Sequence, residues 1–321
     1  MLSGAKTGKI SRVLAKDYLC KYTGITWARS EAGLSRLPVT EKIAGSNPVG
    51  PAKSLLQPPF FGGFCIFNYT KSMYKLLLLD VDGTLVESKE GALPSPRVIE
   101  AVKAASAQID VAIVTGRPYA HTKDVISALG LKGLGVFNGG AEIINIVTGE
   151  QMFRQTMEIE TVQESLTIAL TYGYIVLNTI GDTEIEVTSA GDITEPSDKL
   201  LILDVPSSKA PDLVAALEAV EKTVTHPVSA WSDDDVVNIT VAHEHASKRY
   251  GAERIMTMLG YSKEETVAIG DGHNDVPLLE AVGLGIAMGN APDEVKKLAD
   301  VVTSSLASDG VANAIEKFIL Q

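Results

Sequence analysis

The chain has 321 residues with 40 acidic and 28 basic side chains, a formal net charge of −12, which argues against nucleic acid as the main partner because phosphate-backbone binding needs a basic footprint. Both cysteines, Cys20 and Cys65, precede Met73, so thiol catalysis, a thiolate zinc site and a disulfide framework are excluded from the rest of the chain. No apolar run approaches the roughly 20 residues needed to span a bilayer.

The charge is unevenly spread. Residues 1–72 hold 10 basic and 3 acidic residues, leaving 18 and 37 for residues 73–321. The first segment has no sustained periodicity and is punctuated by Gly45-Ser46-Asn47-Pro48, Gly50-Pro51 and Pro58-Pro59. Three readings compete for it: an organelle transit peptide, although arginines are few and no amphipathic helix is clear; a flexible tail; or a mis-assigned start, with Met73 as the initiator. A cytoplasmic location is expected, with organelle targeting by this segment as the alternative.

From Met73 strands and helices alternate, the pattern of a doubly wound parallel sheet. Leu76 to Leu79, four leucines in a row, read as a fully buried central strand, and the strand runs into Asp80-Val81-Asp82-Gly83-Thr84. A helix over Ser95–Ala107 opens with Pro96, suited to a first helical turn. Val111–Val114 reads as a second buried strand ending at Thr115-Gly116-Arg117-Pro118. Tyr119–Leu129 is a helix closed by Gly130, and Val136-Phe137 leads through Asn138-Gly139-Gly140 to a hairpin at Thr148-Gly149. Residues 150–235 then change character. Helices at Glu160–Tyr172 and Ala210–Lys222, with strands at Tyr174–Asn178, Thr183–Thr188 and Leu200–Asp204, predict a small α+β layer of order βαββαβ inserted into the core. The core is expected to resume over 236–321, with a strand at Val236–Val241, a helix at Ser247–Leu259 stopped by Gly260, and a strand at Thr266–Ile269. Strands at Leu284–Met288 and Val301–Thr303 alternate with helices at Pro292–Ala299 and Val311–Ile319. Residues 73–149 form the first part of the core.

Carboxylates at the carboxyl ends of parallel strands sit where open α/β sheets bind ligands. Four segments fit that description together: Asp80-Val81-Asp82, Thr115-Gly116-Arg117, Lys248 at a helix start, and Gly270-Asp271-Gly272-His273-Asn274-Asp275. Four acids, a hydroxyl and a lysine converging there describe phosphoryl transfer assisted by a hard divalent cation. A carboxylate nearing a phosphate dianion is repelled by about 4 kcal/mol per charge pair at ~4 Å and an effective dielectric of ~20. Gly83 permits the tight turn that lets backbone amides face the phosphate.

These segments, with Gly285-Ile286-Ala287-Met288-Gly289-Asn290-Ala291 and Ser308-Asp309-Gly310-Val311-Ala312, resemble the haloacid dehalogenase superfamily of phosphohydrolases, specifically its Cof-like type IIB subgroup, over the whole of 73–321. The resemblance implies a Rossmannoid α/β core with an α+β cap between the second and third motifs. It implies that Asp80 is the nucleophile and Asp82 the general acid and base. It further implies Mg²⁺ held by Asp80, the backbone carbonyl of Asp82 and Asp271, with Asp275 in the same shell or the next, and a phosphate held by Lys248, Thr115 and Gly116. Arg117 is expected at the substrate, at the cap, or in a salt bridge. Asn274 is expected at the substrate or as a helix cap. The partner is a small phosphorylated metabolite, a sugar phosphate or phosphoglycolate-like, acted on by a monomer or homodimer. A phosphomutase and a non-catalytic regulatory protein are the alternatives. His243-Glu244-His245 lacks the spacing of a metalloprotease motif, and Asp233-Asp234-Asp235 reads as a solvated turn.

Overall fold

A computed structural model describes residues 73–89, 91–229 and 235–320; the segment 1–72 and the pair Asp233-Asp234 lie outside the described residues. In chain order the elements are β1 (Leu76–Leu79), α1 (Pro96–Ser106), β2 (Asp110–Ile113), α2 (Lys123–Leu129), β3 (Leu134–Phe137), β4 (Glu142–Asn145) and β5 (Glu150–Arg154). Next come α3 (Ile159–Thr171), β6 (Val176–Ile180), β7 (Thr183–Glu186), β8 (Lys199–Pro206), α4 (Ala210–Leu217), β9 (Thr223–Ser229) and β10 (Val236–His243). The last are α5 (Lys248–Leu259), β11 (Thr266–Gly270), α6 (Val276–Ala281), β12 (Leu284–Ala287), α7 (Asp293–Leu298), β13 (Val301–Val302) and α8 (Gly310–Phe318).

The core sheet is parallel, ordered β13-β12-β11-β1-β2, so the four leucines of β1 lie between β11 and β2 with Leu79 opposite both Ile269 and Ile113. All four leucines are fully buried, and strand geometry sends them alternately to opposite faces. Leu77 and Leu79 pack with α1, α2 and α8; Leu76 and Leu78 pack with α5, α6 and α7. Each such leucine contributes roughly 2 kcal/mol of hydrophobic burial, which explains why a run with no polar alternation is required here. Local signals fix the helix ends: the Ser95 hydroxyl accepts the N–H of Val98 ahead of Pro96, and Gly130 closes α2 in the left-handed region at φ 66°.

The inserted layer differs from the expected βαββαβ order. Glu150–Arg154 pairs with β4 in a separate three-stranded antiparallel sheet, β3-β4-β5. Val236–His243, expected to return to the core, instead lies between β8 and β9, antiparallel to both, in a five-stranded sheet ordered β7-β6-β8-β10-β9. The chain is therefore αβββαββ across this layer, and the core resumes only at α5. Alternating apolar residues identify a half-buried strand but not the sheet it joins, because pairing partners are non-local. One face of the cap sheet is covered by α3 and α4, with Val162, Leu166, Leu213 and Leu217 packed against Leu200, Ile202, Ile239 and Val241. The opposite face, which carries the alternate residues, looks toward the core's carboxyl edge.

Candidate active site

Parallel register brings the strand ends together. Asp80 follows β1, Asp271 follows β11, and the turn after β2 carries Thr115 to Arg117. Lys248, at the start of α5, reaches the same point because α5 docks against Gly140, where φ is 118° and a Cβ would overlap the backbone of Ser247. The Lys248 ammonium, 168 residues from Asp80 in sequence, donates to Asp80 Oδ1 at 2.5 Å and to Asp275 Oδ1 at 2.6 Å. Lys248, Asp80 and Asp275 are all buried.

Burial raises the Asp80 carboxyl well above the ordinary range; Asp275 adds to this and Lys248 opposes it. Burial, with Asp275 second, raises Asp271 to about 7, while the hydrogen bond from Thr84 pulls it down. Burial alone would push the Lys248 ammonium toward neutrality, but the carboxylates of Asp275 and Asp80 outweigh it and the net direction is upward. Like charges held this close need a compensating cation, and the donor set is suitable for one: oxygens of Asp80, Asp271 and Asp275 lie within 4.8 Å of one another, all hard ligands of the kind magnesium prefers.

Each acid is held by other groups. Asp275 Oδ2 accepts the backbone N–H of Asp271 at 3.1 Å and of Gly272 at 2.9 Å. Asp271 accepts the Thr84 hydroxyl at 3.0 Å and the Asn290 amide at 3.3 Å. That amide also donates to the Gly83 carbonyl. Gly83 is needed twice over: its φ is 76°, and a Cβ there would collide with the Asp271 carboxylate.

Two of the expected site residues are engaged by partners within the protein. Arg117, expected at the substrate, at the cap, or in a salt bridge, forms a fork with Asp82, Nε to Oδ2 at 2.8 Å and Nη2 to Oδ1 at 2.5 Å. The Asp82 side chain is not one of the three carboxylates whose oxygens cluster. Thr115 is fully buried and its hydroxyl accepts the N–H of Arg117 at 3.1 Å, so it shapes the turn. It is absent from the residues lining the cleft, whereas Gly116, Arg117 and Asn274 are among them. Asn274 lies in a short turn ahead of α6, and Asp275, not Asn274, stands at the cap position.

The cleft, of about 340 Å³, has Asp80, Asp82, Lys248 and Asp271 on its floor and Glu184, Lys199, Leu201 and Thr240 of the cap sheet above. Cap and core are joined over it by polar links: the Lys199 ammonium donates to Gly116 O at 2.8 Å, Ala120 N–H to Asp182 at 2.7 Å and the Asn138 amide to Gly181 O at 3.0 Å. Burial lowers the Lys199 ammonium, with Glu184 opposing. Sequence reading missed Thr84, Asn290, Glu184 and Lys199. Asn290 carried a signal, since it follows a buried strand of the same sheet. Asn238 and Thr240, which line the cleft, carried another in the polar phase of a Val/Ile alternation. His243 and His245 contact each other locally, His245 N–H donating to His243 Nδ1 at 3.0 Å.

Comparison with known proteins places this geometry in context. A family profile described as haloacid dehalogenase-like hydrolase matches residues 77–200 and 177–315. The chain is 28% identical over 248 residues to phosphoglycolate phosphatase 1 of Saccharolobus solfataricus, covering 77% of this chain and 96% of that protein. It is 29% identical over 258 residues to phosphoglycolate phosphatase of Methanopyrus kandleri, covering 77% and 98%. In fold it is similar to a subclass IIB sugar phosphatase of the haloacid dehalogenase superfamily, with a TM-score of 0.66 at 21% identity, over 76% of this chain and 98% of that one.

Proposed function

This chain belongs to the haloacid dehalogenase-like hydrolases, and from that membership we propose that it is a magnesium-dependent phosphomonoesterase acting on a small phosphorylated metabolite through an aspartyl-phosphate. The observation that carries the reading is the buried Lys248 ammonium bridging Asp80 and Asp275 on the floor of a cleft that also holds Asp82 and Asp271. A structural ion pair would not require two further carboxylates in the same wall. The phosphatase names of the relatives support it.

In this mechanism a carboxylate oxygen of Asp80 attacks phosphorus as the bond to the leaving oxygen breaks, and Asp82 delivers its proton to that oxygen. Asp82 then takes a proton from water as the water attacks phosphorus, and the Asp80–phosphorus bond breaks to release inorganic phosphate. Arg117 keeps the Asp82 carboxylate in one orientation through its two-pronged contact, a positioning role rather than a contact with substrate. Lys248 neutralises phosphate oxygens as charge moves onto them. Asp80 and Asp271 would hold Mg²⁺, with Asp275 anchoring the loop through its bonds to Asp271 and Gly272. The bound ion supplies the positive charge that lets a carboxylate approach a phosphate dianion. Thr84 and Asn290 orient Asp271 for that task.

The test is a phosphate-release assay over a panel of sugar phosphates and phosphoglycolate, with magnesium and with chelator. Magnesium-dependent release of free phosphate is expected. Formation of an isomeric sugar phosphate in its place supports a phosphomutase, and no turnover of any phosphate ester refutes both.

A further inference from the structure

Among the described residues, the cap's inner face carries one buried ammonium, and it does not stand alone. Lys199 is at the start of β8 and Glu184 is on β7; both line the cleft opposite Asp80 and Asp82. The Lys199 ammonium lies 3.8 Å from Glu184 Oε1, and Glu184 also accepts the Thr179 hydroxyl at 3.3 Å. Beside the pair, Leu177, Leu201 and Leu203 form an apolar strip in the same wall, with Asn238 and Thr240 completing it. His121 of the core faces Glu184 at 3.9 Å.

A cation paired at this distance has little net pull on an anion. A carboxylate or second phosphate brought to Lys199 meets Glu184 at nearly the same range, so attraction and repulsion almost cancel while the cost of stripping water from the newcomer stays. A hydroxyl group suffers no such conflict, because it both donates and accepts. Gly116 O already takes one of the three ammonium donors, and the remaining donors beside a carboxylate acceptor match neighbouring hydroxyls. The leucine strip matches the C–H face of a carbon skeleton or sugar ring.

Building on the phosphatase reading, we propose that Lys199 and Glu184 are the specificity-determining pair of the cap, selecting a phosphate ester whose leaving group is an uncharged polyol or sugar and rejecting one that bears a second anion. The pair reads the substrate beyond the scissile phosphate.

The test uses competitive inhibition of p-nitrophenyl phosphate hydrolysis by two ligands of similar size, glucose 6-phosphate and 6-phosphogluconate, so that neither needs to be a good substrate. In the wild-type full chain glucose 6-phosphate is expected to inhibit with a Ki at least tenfold lower. Glu184→Gln keeps the size and an acceptor but removes the charge, and should shrink that ratio fivefold or more by improving the affinity for 6-phosphogluconate. The Lys199→Gln variant, which leaves Glu184 unopposed, should widen it. A smaller wild-type preference, absence of inhibition by glucose 6-phosphate, or a change below fivefold in Glu184→Gln overturns the proposal while leaving the phosphatase reading standing. If wild-type protein with magnesium does not cleave p-nitrophenyl phosphate or any ester of the metabolite panel, it is the phosphatase reading that fails.

Discussion

Replacing Lys248 with methionine isolates the interaction on which the site is built. The ammonium sits 2.5 Å from Asp80 Oδ1 and 2.6 Å from Asp275 Oδ1. At an effective dielectric of ~20 each contact is worth about 6 kcal/mol of gross attraction, offset by several kcal/mol of desolvation per buried ion. Removing one partner of such a buried set costs about 3–5 kcal/mol, because the remaining charges lose their compensation. For a chain of this size that is a fall of roughly 10 °C in Tm. The effect has a direction in pH. Lys248 is the influence that holds the Asp80 carboxyl down, so its loss raises Asp80 further above the unfolded value of 3.8. A carboxyl raised in the folded state contributes stability at low pH that is lost as pH rises through the folded pKa. The Lys248→Met deficit should therefore be largest at pH 8 and shrink toward pH 5. Thermal unfolding in chelator, followed by circular dichroism at both pH values, measures it. A melting temperature within 2 °C of wild type at pH 8, or a deficit that does not change with pH, refutes the reasoning that the ammonium is confined between two carboxylates.

Other perturbations probe the remaining parts. Asp80→Asn removes the proposed nucleophile and should lower turnover by roughly a thousandfold or more without loss of fold; residual phosphate release near wild type contradicts the mechanism. Arg117→Met frees the Asp82 carboxylate and should lower kcat by about 10–100-fold, part of the ~10²–10⁴ that acid–base help supplies, with little change in KM. A loss confined to KM would return Arg117 to substrate binding. Thr84→Val deletes the 3.0 Å bond to Asp271 and should raise the magnesium concentration for half-maximal activity by about 10–100-fold, while activity at saturating magnesium survives. Glu142, raised to about 7 mainly by burial and then by Asp198, favours its protonated form in the folded protein and loses stability as pH rises through 7. Glu142→Gln should therefore gain about 1–2 kcal/mol at pH 8, after allowing for screening, and little at pH 5. A denaturant titration at the two pH values would expose an error of sign.

The family, the doubly wound core and the acidic cluster were written in short-range features. An unbroken leucine run of this length, closed by turn-forming Asp-x-Asp-Gly, reads as a strand buried on both faces, and a strand that ends in Asp-x-Asp-Gly must deliver those acids to the sheet's carboxyl edge. Parallel pairing then does the rest, since β1 between β2 and β11 leaves little freedom in where Asp80 and Asp271 arrive. Strand partnership and side-chain aim were decided elsewhere. Val236–His243 has the same alternation whether it closes the core or the cap. Only its hydrogen bonds to β8 and β9 assign it, and its β8 partners lie thirty or more positions away. Arg117 could have reached outward to a ligand; the nearby Asp82 carboxylate captures it, because a fork of two charge-assisted bonds outweighs one exposed to water. Lys199 and Glu184 are unremarkable in sequence, a lysine and a glutamate on separate strands, and become a pair facing the cleft only when β6 inserts between β7 and β8. Local pattern fixes which faces are apolar and which ends are charged; long-range packing alone sets which charges meet.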